Sequence, residues 1–142
     1  MNKIVETKIA TISTEKYPLI LLKSKQVSEI HNTDIDHLVT KYKTVLEGTK
    51  GHYVTYIDVS KSNKKYTAEA RDYLGVSLQV LDSSYKDRHL GNFVFVPGIF
   101  MFFVIKMVSG FSKSEVKLTI GFNREKLMTK ALSKLNKHNK VK

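Results

Sequence analysis

The chain has 142 residues, a net charge of +11 at neutral pH and no cysteine. That length suits one domain with a real hydrophobic core, and the missing cysteines exclude disulfides, thiolate metal sites and a thiol nucleophile. The positive excess is uneven, because residues 122–142 carry +6 and the preceding 121 only +5. A basic terminus of this kind either attracts nucleic acid or anionic lipid, or is a solvated helix face with a frayed tail. The expected organisation is therefore a domain over residues 1–136 and a basic tail over 137–142. No apolar leader with a small-residue cleavage site stands within the first thirty residues, which points to a cytoplasmic location.

Residues 3–12 mix polar and apolar positions with many β-branched side chains, and Pro18-Leu19-Ile20-Leu21-Leu22 follows a short link. Two strands joined as a hairpin are expected there. Asn32, Thr33 and Asp34 offer helix-capping side chains ahead of Ile35, Leu38, Val39, Tyr42, Val45 and Leu46. These apolar positions trace one helical stripe, and Gly48 supplies a stop. The run His52–Val59 has the β-branched and aromatic content of a strand. After the loop Ser60–Tyr66, Thr67 stands as a helix N-cap with Glu69 in the first turn, and Leu74, Leu78, Leu81 and Tyr85 continue the helical spacing. Gly75 is a place where that helix could split.

Phe93–Val96 reads as a buried strand that ends at Pro97-Gly98 and restarts as an apolar helix over Ile99–Phe111. The 19 residues from Phe93 to Phe111 carry a single charge, Lys106. Pro97-Gly98 nevertheless divides them into pieces shorter than the roughly 20 residues a bilayer requires. The strand Val116–Ile120 and the helix Arg124–Leu135 complete an α/β order of β-β-α-β-α-β-α-β-α. Such an order builds a mostly parallel sheet of four to five strands, with an antiparallel hairpin at its start and flanking helices.

Four segments carry a resemblance beyond this pattern. They are Tyr56-Ile57-Asp58-Val59, the helix opening Thr67-Ala68-Glu69-Ala70-Arg71, the strand start Gly91-Asn92-Phe93, and Phe122-Asn123-Arg124-Glu125-Lys126 leading to Ala131-Leu132. With the element order, these resemble the STAS-like (SpoIIAA-like) superfamily of anti-anti-sigma factors, most closely its small bacterial branch related to lipid carriers. The resemblance implies a single STAS-like domain that is not an enzyme, works by protein interaction, and has no cofactor. In the anti-anti-sigma members a serine at the start of the helix after the central strand is phosphorylated, and partner binding depends on that switch. The matching position here is nearest Thr67, although Lys65-Tyr66-Thr67-Ala68 replaces the superfamily's Asp-Ser-Ser-Gly. A phosphate on Thr67 would meet the free N–H groups of the helix start and the charges of Lys64 and Lys65. Capping alone, worth about 1 kcal/mol, also accounts for a threonine there.

The expected interaction surface is accordingly Ser60, Ser62, Lys64 and Lys65, together with Phe100, Phe102 and Phe103 on the apolar helix. Phe100 and Phe102 fall outside the stripe that would face a sheet, so that helix is either covered on two sides or meets a partner, a second copy of the chain, or an apolar ligand. The readings that follow are an unidentified protein partner or a homodimer first, and a lipid or anionic membrane surface second. Nucleic acid is the weakest reading, because no aromatic residues interleave with the lysines.

No catalytic or metal constellation stands out. His31, His37, His52, His89 and His138 form no pair at helical ligand spacing. Asp82-Ser83-Ser84 and Asp87-Arg88-His89 contain the residue types of a Ser/His/Asp set without the strained nucleophile turn such a set uses. Gly48-Thr49-Lys50-Gly51 is a helix stop and turn rather than a phosphate cradle. Asp34 and Asp36 face different sides of a helix start, where each favours its positive end.

Overall fold

A computed structural model describes residues 3–27, 29–60, 68–98 and 116–140. In chain order the elements are β1 (Ile4–Glu6), β2 (Ala10–Ser13), β3 (Leu19–Ser24), α1 (Asn32–Glu47), β4 (Tyr53–Asp58), α2 (Ala68–Ser84), β5 (His89–Phe95), β6 (Leu118–Gly121) and α3 (Arg124–Lys140). The six strands lie side by side in sequence order. β1, β2 and β3 pair antiparallel, and β3, β4, β5 and β6 pair parallel.

The α/β class and the antiparallel start agree with the sequence, but the strand count is six rather than four or five. The extra strand comes from residues 3–12, which fold as two short strands instead of one. Thr7 makes the turn between them: its hydroxyl donates to Ala10 O at 2.8 Å and accepts from Ala10 N–H at 3.1 Å. A threonine turn with no Gly, Asn or Pro carries little sequence signal.

Parallel strands laid down in steady order need right-handed crossovers, and these place successive helices on one face of the sheet. α1 and α2 occupy that face and pack on each other. Tyr53 and Ile57 of β4 point into it, joining Ile12, Ile20, Leu22, Tyr42, Leu46 and Leu81 in one cluster. The intervening Val54 and Tyr56 point the other way, as the period of two requires. They meet Phe93, Phe95 and the α3 residues Leu127, Ala131 and Leu135. α3 thus returns across β4, β5 and β6 on the face the crossovers leave free. Full burial of an anchor such as Leu127 is worth about 2 kcal/mol. Gly121 allows the close approach, since a Cβ there would stand 3.1 Å from Leu127 Cδ1.

Local details differ from expectation in instructive ways. The N-cap of α1 is His31, one residue before the expected group. Asp34 instead reaches back from the third helical position, accepting the His31 N–H at 2.9 Å and Lys8 Nζ at 3.3 Å. The carboxyl is held below its ordinary range, mainly by that backbone hydrogen bond. Asp36 accepts from the Tyr73 hydroxyl of α2, so the two acids do face different partners. Gly48 ends α1 in a right-handed conformation (φ −85°), and the left-handed turn belongs to Gly51 (φ 82°). α2 runs through Gly75 without a break, and α3 continues to Lys140. β5 starts at His89, four residues before the expected Phe93. Among the described residues no helix is long and apolar enough to cross a membrane; the apolar helix expected over 99–111 lies outside them.

Candidate functional site

Open α/β sheets bind their ligands beyond the carboxyl ends of the parallel strands. Here those ends are Asp58 on β4, Phe95 on β5 and Gly121 on β6, and they stand side by side in the sheet register. Two residues after β6, Asn123 starts α3 by accepting the Lys126 N–H on its side-chain oxygen at 3.0 Å. This cap directs Arg124, the first helical residue, back across the strand ends. Its guanidinium lies 4.5 Å above the centre of the Phe95 ring. One Nη2 stands 3.4 Å from Asp58 Oδ2 and donates to Ser60 Oγ at 3.2 Å. The other Asp58 oxygen accepts the Ser60 N–H at 2.9 Å.

Exposure is divided unequally in this cluster. The Asp58 side chain is 12 % exposed and that of Arg124 is 60 % exposed. Asp58 is therefore a fixed anchor, while most of the guanidinium's five N–H donors stay turned to solvent. Tyr56, one turn of the pleat below, has its hydroxyl pushed up by burial and then by the Asp58 charge, with Arg124 pulling the other way. Lys23 stands opposite Asp58 on the neighbouring strand. The arrangement can hold an oxyanion or a carboxylate against Arg124. It also fixes Ser60, the last described residue before position 68.

Of the residues expected to form the interaction surface, Ser60 is the one placed here. Ser62, Lys64, Lys65 and Thr67 belong to the stretch 61–67, and Phe100, Phe102 and Phe103 to the stretch 99–115, all outside the described residues. In the sequence Arg124 stands out only as part of the segment that carries the family resemblance. Its role depends on α3 returning over β4 and β5, which no local signal announces.

A second polar assembly, also invisible in the sequence, lies under α1 and α2. Asp82 Oδ1 stands 3.2 Å from His89 Nδ1, His89 Nε2 is 2.9 Å from Thr55 Oγ1, and Thr55 is 2.7 Å from the Tyr42 hydroxyl. Asn92 Nδ2 donates to the other Asp82 oxygen at 3.0 Å. With the His89 Nδ1–H donating to Asp82, Nε2 accepts from Thr55 and Thr55 accepts from Tyr42, so each hydrogen bond has one donor. The Tyr53 ring stacks on His89 at 4.7 Å. The Tyr42 hydroxyl is pushed far up, chiefly by burial.

Acid, imidazole and hydroxyl in this order are the parts of a nucleophilic triad, but the nucleophile is sealed. Thr55 is 0 % exposed and the His89 side chain 2 %, so no substrate atom reaches either, and a triad requires that access. Ser84, from the serine pair next to Asp82, donates to Val80 O instead. The network satisfies buried polar groups that would otherwise each cost about 1–3 kcal/mol. Among the described residues no group of three or more His, Asp or Glu could hold a metal.

No protein-family model matches this chain. Neither the curated proteins nor the solved structures supply a significant match.

Proposed function

We propose that this chain is a non-catalytic, cytoplasmic regulatory domain of the STAS-like kind, which engages a protein partner at the carboxyl end of its parallel strands. The observation that carries the reading is the Asp58–Ser60–Arg124 cluster. It fixes Ser60, after which the sequence continues to Lys64, Lys65 and Thr67, and leaves the Arg124 side chain largely exposed. The mixed sheet with parallel strands after an antiparallel start is compatible with that kind of domain. The sealed state of Thr55 and His89 supports the absence of catalysis there.

In this reading a phosphate on Thr67 adds negative charge to the partner-binding segment and so changes partner binding. Wild-type protein, Thr67→Glu and Arg124→Glu would be compared as baits in native cytosol with quantitative mass spectrometry. A partner retained by wild type and released by both variants is the expected result. Identical retention by all three would overturn the reading.

A further inference from the structure

The flank of α3 beside its apolar anchors carries Lys126, Lys130, Lys134 and Lys137, spaced by 4, 4 and 3 residues. That spacing keeps them on one stripe of the helix. The helix holds a single acid, Glu125, in its first turn. Lysines so placed repel one another along the stripe, and a surface built only for solubility intersperses both signs.

The stripe also borders a concavity. Between α3 and strands β5 and β6 lies a groove of about 520 Å³, within the roughly 300–1,000 Å³ range of small-molecule sites. Lys130, Lys134 and Lys137 line it from the helix, and Lys117 lines it from the chain entering β6. Thr129 and Ser133 add hydroxyls between the lysines, and Phe93 and Leu90 provide apolar wall. Among the described residues no carboxylate lines the groove. No described arginine lines it either, so its described donors are ammonium groups and hydroxyls rather than the planar fork that suits carboxylates.

We infer that this groove is a binding site for a small molecule or headgroup carrying two or more phosphates. The phosphates would lie among Lys117, Lys130, Lys134 and Lys137, with Ser133 and Thr129 donating to the remaining oxygens. Any apolar part of the ligand would rest toward Leu90 and Phe93. The site is independent of the partner surface at Arg124, so the failure of either leaves the other standing.

The test uses the full chain and inorganic tripolyphosphate in isothermal titration calorimetry. One saturable site is expected, weakening steeply as salt rises from about 50 to about 300 mM. Lys130→Glu with Lys134→Glu should weaken binding by about tenfold or more, and the matching Gln pair by less. Lys43→Glu with Lys50→Glu, which makes the same change in net charge on exposed positions elsewhere, should stay within about twofold. All four positions are exposed, and circular dichroism checks that each variant is folded.

Vesicles containing cardiolipin, a lipid whose headgroup carries two phosphates, separate the sources of phosphate. Binding that tripolyphosphate displaces and the Lys130/Lys134 variant loses identifies a lipid headgroup, while tripolyphosphate binding without vesicle binding identifies a soluble ligand. Equal losses in the two charge-reversal pairs, or no saturable tripolyphosphate binding, overturn the inference. Tight binding of a single-stranded oligonucleotide with no tripolyphosphate site overturns it as well.

Discussion

Each end of the parallel strands is held by one arginine, and the two are used differently. At the amino end, Arg88 donates to Gly51 O at 2.8 Å, Leu46 O at 3.1 Å, Thr49 Oγ1 at 2.9 Å and the Tyr17 hydroxyl at 3.2 Å. Its guanidinium also stands 5.4 Å from the centre of the Tyr53 ring. Next to it, His89 opens the sealed chain of Asp82, Thr55 and Tyr42. At the carboxyl end, Arg124 makes two polar contacts through one nitrogen and keeps most of its side chain in water. A group with four of its five N–H donors spent on the fold has little left for a partner. The amino end is thus the structural lock, and the carboxyl end is where binding capacity remains.

Breaking the lock should have the largest effect. Asp82→Ala leaves His89 and Asn92 without their buried acceptor, and each buried polar group so left unsatisfied costs about 1–3 kcal/mol. A urea unfolding series should show a large drop in midpoint, with loss of native signal at physiological temperature also consistent. Arg88→Ala comes next, because several part-buried hydrogen bonds go with it; about 2–3 kcal/mol is expected from the same series. A cost near zero for either variant would contradict the account of the amino end.

Asp34→Ala sharpens the comparison at intermediate scale. It should cost about 1 kcal/mol at neutral pH through loss of the helix-start contact. The folded Asp34 carboxyl titrates below its ordinary value, so its contribution is complete above the unfolded value of about 3.9 and disappears as pH falls through the lower, folded value. Wild type and variant should therefore converge in stability in strong acid. A difference that persists there would assign the effect to something other than the carboxylate.

The smallest effects belong at the open end and on the basic stripe. Arg124→Ala should lower stability by only about 0.5–1 kcal/mol, since an exposed ion pair and a ring contact are worth little in water. It should nonetheless change partner binding, which is the separation the comparison predicts. Lys130→Glu with Lys134→Glu should change stability by no more than about 0.5 kcal/mol, with a gain expected as like charges are removed. Thermal unfolding of the two variants beside Arg88→Ala measures the whole contrast in one experiment.

Particular elements explain which features could be read in advance. The α1 stripe and the β4 run depend on side chains three, four or two residues apart, and local order alone specifies them. β5 was read four residues short, because His89 and Asn92 are polar and polarity signals a loop. They are buried only because Asp82, on the helix before them, and Thr55, on the neighbouring strand, supply their partners. The hairpin at residues 3–12 was missed because Thr7 closes it through its own hydroxyl, without a turn residue of the usual kind. At the candidate site Ser60 was named, but Arg124, which holds it, was not assigned a role.

By itself the sequence determined the α/β class, the helix stripes, the antiparallel start and the concentration of positive charge near the end of the chain. These follow from period, composition and charge count, which are properties of neighbours along the chain. Tertiary structure alone decided that Arg124 crosses to Asp58 and Ser60, that Lys117 faces the α3 lysines across a groove, and that an acid, an imidazole and a hydroxyl from three elements meet where no substrate can enter. Each of these joins residues distant in sequence, and each depends on the face of the sheet to which a helix returns.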